Sequence, residues 1–541
     1  MEAIELLESA QWEAARDAFE AVLREEGDSP DALDGLGLAV WFLGEIEAGI
    51  AARERAFDGF VGEGRCDEAA RAAAWVSHQY LQSGRESAAR GWLARAERAL
   101  EDSECEGRGW VTVERARQAP SLEECAEQAR RAMEIARQTG ADDLEVFALS
   151  LLGQAEVRGG RKVEGMRLLE EAMAAASAGR VRNLHTLAEA YCNLIAACTS
   201  AGEWERAAEW CEMVDEFARE HGAMPLVGAC RTIHADVLVA RGRWPEAELA
   251  LESALETHAR YVPAMDAAPL AAMAELRIRQ GRLAEAERLL SGREEHSASL
   301  RALAQLRICE GRPEVAAALL ERGLATAEGD TIGATQLLAL LVDAHLACGE
   351  GEGAAAAAAR LADLAAQSEI RLAEARSELA AARVRRAAGS PREAAESAQR
   401  ALVHFGRLAM PVDAGEARLE LARALAADQP ALAQEEARAA FEVFRELGAS
   451  RAMDAAADLL RELGGATGAR PRGAGELTER ERQVLELLTR GMSNAQIAQA
   501  LFISEKTAGH HVSRILAKLG VRNRAEAAAH AARLGVGMGS E

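Results

Sequence analysis

Lys506, Gly509, His510 and Ser513 stand at i, i+3, i+4 and i+7 of one segment near the C-terminus, a spacing that gathers them on one side of an α-helix. Ala508, Val512, Ile515, Leu516 and Leu519 take the opposite, inward face. The outward side offers hydrogen-bonding groups, one fixed positive charge and a glycine that admits close backbone approach. On a helix that enters a nucleic-acid duplex, such positions meet base edges in the major groove. The neighbours His510 and His511 point about 100° apart on a helix, so they do not make a two-ligand metal site.

The elements that must hold this face are four short helices between Leu477 and Leu534. Thr478 with Glu481 reads as a capping box, and Ser493 with Gln496 as a second. Ser504 caps the third helix, and Asn523 with Glu526 gives a similar start to the fourth. Gly491 closes the first helix and Gly520 the third. Only Phe502, Ile503 and Ser504 separate the second helix from the third, which is the spacing of a helix-turn-helix joint.

This segment resembles the LuxR-type helix-turn-helix of bacterial transcription regulators. The matching runs are LTERERQVLELL, the step holding Gly491, Ser493, Asn494, Ile497 and Ala498, and ISEKT through Lys518, Leu519, Gly520 and Val521. The resemblance implies base-facing positions at Gly509, His510 and Ser513, and phosphate-side positions at Thr507 and Arg522, with Lys506 and Lys518 adding charge. Family members often carry Val-Lys where this chain has Ala508-Gly509. Glycine inside a helix costs about 1 kcal/mol relative to alanine and removes a side chain, so readout leans on His510, Ser513 and the backbone. In the family the fourth helix makes a dimer contact. Here it has a face of Ala525, Ala528, Ala529 and Ala532, which suits either that contact or the module's own core.

The chain has 541 residues and a formal net charge of −24, enough length for more than one domain. Counting Lys and Arg against Asp and Glu from Leu477 onward gives +3, which leaves −27 on residues 1–476. A weakly basic module on an acidic body fits one DNA-binding end and a body that phosphates repel, and simple solubility accounts for the acidity equally well. The opening MEAIELLE is acidic and does not read as a signal peptide. No apolar run is expected to span a membrane, so a cytoplasmic protein without membrane contact is expected. The nine cysteines form no C-x-x-C and no Cys/His zinc spacing, and buried small apolar residues are their best reading. A lesser reading makes the neighbours Cys192 and Cys198 an oxidation sensor.

Residues 1–463 are helical by pattern and carry a repeat. A glycine is followed five places later by a small residue at Gly44/Gly49, Gly84/Ala89, Gly160/Gly165, Gly202/Ala207, Gly242/Ala247, Gly281/Ala286, Gly311/Ala316, Gly349/Ala354 and Gly389/Ala394. The period is near 40, with one interval of 76 that reads as two units around a degenerate turn. A related start at Gln11 adds an N-terminal unit. Such a period means paired helices stacked in a solenoid, the glycine turning the chain and the small residue letting helix B approach helix A. The region resembles tetratricopeptide repeats. Trp204 and Trp244 each follow a turn glycine by two residues and are expected to pack between units. The pattern loosens at His221–Pro225 and Tyr261–Pro269. Residues 464–476, rich in glycine and proline, read as a flexible linker holding Arg470 and Arg472.

The expectation is therefore an all-α chain: a tetratricopeptide-like α-solenoid over 1–463, a linker over 464–476, and a four-helix LuxR-type helix-turn-helix domain over 477–541. No Walker A loop, nucleophile elbow, H-E-x-x-H helix or dinucleotide fingerprint is found, so no enzyme, metal or cofactor is expected. The resemblance is to the rear part of large ATPase-containing LuxR regulators, without the ATPase. It implies a transcription regulator that binds double-stranded DNA as a homodimer through the C-terminal helix. The solenoid would receive a protein or small-molecule effector, with RNA polymerase a further candidate partner. The competing reading is a scaffold whose helix-turn-helix serves protein interaction.

Overall fold

At Gly160 the chain leaves one helix, α9 (Asp142–Arg158), and enters the next, α10 (Lys162–Ser177), within three residues. Gly160 has φ +91°, a left-handed conformation that is cheap only for glycine. Its N–H donates to Val157 O, and the Arg161 N–H donates to Glu156 O at 2.9 Å, which is a Schellman closure. Five residues on, Gly165 lies against Gly153 of α9, and a Cβ at 165 would sit 2.6 Å from the Gly153 carbonyl oxygen. The turn glycine reverses the chain and the small residue lets the two backbones approach.

In this computed structural model, which describes residues 2–100, 105–221, 224–464, 484, 485, 487, 488, 492–501, 512, 515 and 527, the same device repeats. All nine turn glycines of the repeat have positive φ, and their partners from Gly49 to Ala394 are buried. From α1 (Glu2–Glu8) to α24 (Pro430–Leu447) the helices form consecutive pairs, followed by α25 (Ser450–Glu462). The interval of 76 holds a turn without glycine, 118–121, between α7 (Glu106–Arg117) and α8 (Leu122–Thr139). The N-terminal unit reverses at Ala10, with φ +57°, and buries Ala15. One further reversal, 426–429, was not signalled by the repeat; it precedes α24 and buries Ala433. No strand occurs among the described residues. The architecture is a tetratricopeptide-like α-solenoid.

After α1, the first helices of the pairs are α3 (Pro30–Phe42), α5 (Cys66–Gln82), α7, α9, α11 (Leu184–Ala201), α13 (Met224–Ala240), α15 (Ala267–Arg279), α17 (Leu300–Cys309), α19 (Thr331–Cys348), α21 (Arg371–Ala387) and α23 (Pro411–Leu425). From α5 to α23 each packs on the next of its own kind as well as on its pair mate, so these helices form the inner layer. Distant pairs also meet. The Glu369 N–H donates to Gly160 O at 2.9 Å, and Thr331 Oγ1 donates to Gly159 O at 3.2 Å. Gly242 faces Leu447 and Pro411. Successive turns of the superhelix therefore rest on one another.

Where the pattern loosens at Tyr261–Pro269, a 3-10 turn, Pro263–Met265, lengthens the connection before α15, and Met224 and Pro225 open α13. Two sequence expectations change. Cys192 and Cys230 form a disulfide between α11 and α13, and Cys66 is exposed, so the cysteines are not uniformly buried apolar residues. One helix, α19, is long and apolar enough to cross a membrane by length and composition. It packs between α18 (Pro313–Thr326), α20 (Gly351–Gln367) and α21, and its Leu338 and Val342 are in the core. Trp204 and Trp244 are buried as expected. The chain divides into two compact units, Met1–Gly465 and Ala466–Glu541; the expected linker residues 465–476 lie outside the described residues.

Candidate nucleic-acid interface and the inner face of the solenoid

In the C-terminal unit a small core joins Val484, Leu485, Leu488, Ile497, Ala498, Val512, Ile515 and Ala527, with Leu487 and Met492 packed against it. The spacing 484, 485, 488 is one helical stripe, and 512, 515 is another. Between them α26 (Asn494–Leu501) begins with a reciprocal cap. The Gln496 N–H donates to Ser493 Oγ at 3.3 Å, and the Ser493 N–H donates to Gln496 Oε1 at 2.8 Å, which is the expected capping box. Val512 and Ile515, expected inward, are buried. Lys506, Thr507, Gly509, His510, Ser513, Lys518 and Arg522 lie outside the described residues. So do the expected caps at Thr478, Ser504 and Asn523 and the alanine face of the fourth helix.

In the first unit, arginines on the inner helices bridge acids on the helices before and after. Arg301 of α17 pairs with Glu275 of α15 through two hydrogen bonds of 2.7 and 2.9 Å, and donates to Gln336 of α19. Arg383 of α21 pairs with Asp343 of α19 and, at 2.8 Å, with Glu416 of α23. Arg386 donates to the buried Glu420 at 2.9 Å. These bidentate and doubly paired guanidiniums fix the register of neighbouring units. Burial pushes the Asp236 carboxyl up to about 6, with Arg301 opposing, and pushes the Arg376 guanidinium down to about 10.

A second inner cluster lies toward the N-terminus. His185 of α11 reaches Trp41 of α3 and Trp75 of α5, with ring centres 5.0 and 4.5 Å apart. His78 of α5 lies 5.5 Å from the His185 ring. Glu189, one turn after His185, places Oε1 3.8 Å from Nε2 of both histidines. Arg117 of α7 donates to His78 Nε2 at 2.7 Å and lies 3.1 Å from Glu189 Oε2. Burial, with Arg117 and Arg53 nearby, holds both imidazoles well below their usual range, and burial pushes Glu114 up to about 7. The sequence reading missed this cluster. Its only local signal is the i, i+4 spacing of His185 and Glu189, because His78 and Arg117 arrive from other repeats.

Residues 475–531 match the family model described as bacterial regulatory proteins, luxR family. The DNA-binding transcriptional activator DevR/DosR of Mycobacterium tuberculosis is 43% identical over 93 residues, 17% of this chain and 42% of that protein. The chain thus spans less than half the length of that relative. The spore germination protein GerE of Bacillus subtilis is 48% identical over 59 residues, 11% of this chain and 80% of that protein. Among solved structures, the APC/C hetero-tetramer Cut9-Hcn1 aligns over 84% of this chain and 95% of that chain at 11% identity, with a TM-score of 0.41. A family model over the C-terminal module and a relative matched over most of its own length agree, and the chain belongs to the luxR family of bacterial regulatory proteins.

Proposed function

We propose that the chain is a sequence-specific DNA-binding transcriptional regulator that binds as a dimer, with the solenoid receiving a protein or small-molecule signal. The observation that carries the reading is the family match over 475–531 together with the Ser493–Gln496 cap and the inward Val512 and Ile515. On a helical register with those two residues inward, positions 506, 510 and 513 fall on the far side and 509 at its edge. His510 and Ser513 then read bases, with Gly509 allowing close approach. Lys506, Thr507, Lys518 and Arg522 meet phosphates. The alanine face of the fourth helix supplies the dimer contact, and RNA polymerase is a partner the bound dimer can address.

The reading is tested by selecting binding sites from a random DNA pool at two salt concentrations, with the full chain and with residues 470–541. An enriched two-fold motif is expected, with affinity falling as salt rises. Weaker binding by the full chain points to masking by the solenoid. No enrichment with either protein removes the regulator reading in favour of a scaffold.

A further inference from the structure

We propose that His78, His185 and Glu189 form a binding site for one divalent transition-metal ion of the Zn2+ class on the inner face of the solenoid. The ligand atoms of the three residues lie within 4.8 Å of one another. A tetrahedral site with bonds near 2.0–2.1 Å needs ligand atoms about 3.4 Å apart, so the 3.8 Å separations of Glu189 from each imidazole close by a few tenths of an ångström and the widest pair, within 4.8 Å, by up to about 1.4 Å. Two imidazoles and one carboxylate are the donor set that suits Zn2+ and its neighbours rather than Ca2+ or Mg2+.

A further observation favours a cation here. The guanidinium of Arg117 already lies against His78 and, at 3.1 Å, against Glu189 Oε2, so a positive charge is held beside two of the three ligands. It stands in for the metal and competes with it. Arg117 also stacks on Phe147, 4.6 Å from the ring centre, and faces Glu114, so it has an acid to pair with once displaced. The metal would tie α5 to α11 across the concave side, linking pairs that are not neighbours in the chain.

The test uses the full-length chain, stripped by a chelator and then dialysed against Zn2+, or against Co2+ for its visible absorption. One ion per chain is expected, with the intense d–d bands of a four-coordinate site and a raised Tm. His185→Gln and the near-isosteric Glu189→Gln should weaken binding about tenfold or more and abolish the Tm shift. Arg117→Leu should tighten it, because a competing positive charge is gone; this outcome separates the site from a merely structural cluster. Binding that survives His185→Gln unchanged places the ion elsewhere and overturns the proposal. Equal or weaker affinity in folded Arg117→Leu overturns it as well, as does the absence of stoichiometric binding.

Discussion

The proposed base readout by His510 rests on its place opposite the apolar stripe, in which Val512 and Ile515 are buried. His510→Ala should reduce discrimination between the best and poorest operators by about 1–3 kcal/mol if it holds one good base contact; an unchanged ratio in a competition assay removes it from readout. Arg522→Ala should instead weaken all DNA alike and flatten the dependence of affinity on salt, measured by titrations at several ionic strengths. At Asp236 the expected effect concerns stability. Its carboxyl is pushed up to about 6 by burial, above the value of an unfolded chain, so the folded state prefers it protonated. Its contribution is therefore least favourable above pH 6 and improves as the pH falls toward 4. Asp236→Asn should stabilise the protein at pH 7 by on the order of 1–2 kcal/mol, with the gain shrinking at pH 5 in urea titrations. The sequence could not mark Asp236 out, since its environment is built by Arg301 and Glu275 from two other helices.

The element scale was the most legible, because a helix pair is a local object. Turn glycines and small partners lie five residues apart, and each obeys a constraint that acts within its own unit. Gly165 and Gly91 carry the clearest contrast. A Cβ at 165 meets the Gly153 carbonyl at 2.6 Å, whereas Gly91, inside α6 (Glu86–Ala99), has nothing within 4 Å. Gly165→Ala should destabilise by about 1–3 kcal/mol through overpacking. Gly91→Ala should stabilise by about 0.5–1 kcal/mol through helix propensity alone. Opposite shifts in melting check both; two shifts of the same sign refute the packing argument. What the sequence hid is the turn without glycine at 426–429, where the reversal rests on other residues, whereas the one at 118–121 fills the degenerate turn that the interval of 76 implied. It also hid the Cys192–Cys230 pair. Its separation of 38 is close to one repeat, which puts the two thiols on consecutive inner helices, two residues out of register. That relation is visible only once the register is known.

Across the whole molecule, an open repeat array is stabilised by neighbour contacts alone. Here Gly160 and Glu369 share a backbone hydrogen bond, Arg158 pairs with Asp330 at 2.5 Å, and Gly281 faces Ser450. These contacts join pairs remote in sequence, which pattern reading cannot supply because neither partner changes the local periodicity. They close the solenoid on itself within Met1–Gly465, and the contact boundary falls at Gly465/Ala466. The C-terminal unit has its own core of Val484, Leu485, Leu488, Ile497, Val512 and Ile515. Removal of residues 466–541 should therefore cut none of the contacts that hold the solenoid. The shortened chain should keep its helical signal per residue and melt as cooperatively as the full protein, while DNA binding is lost. Circular dichroism and calorimetry of the two chains check this. A collapse of melting in the shortened chain would mean that the solenoid draws stability from the C-terminal unit, and the two could not then be treated as independent folding units.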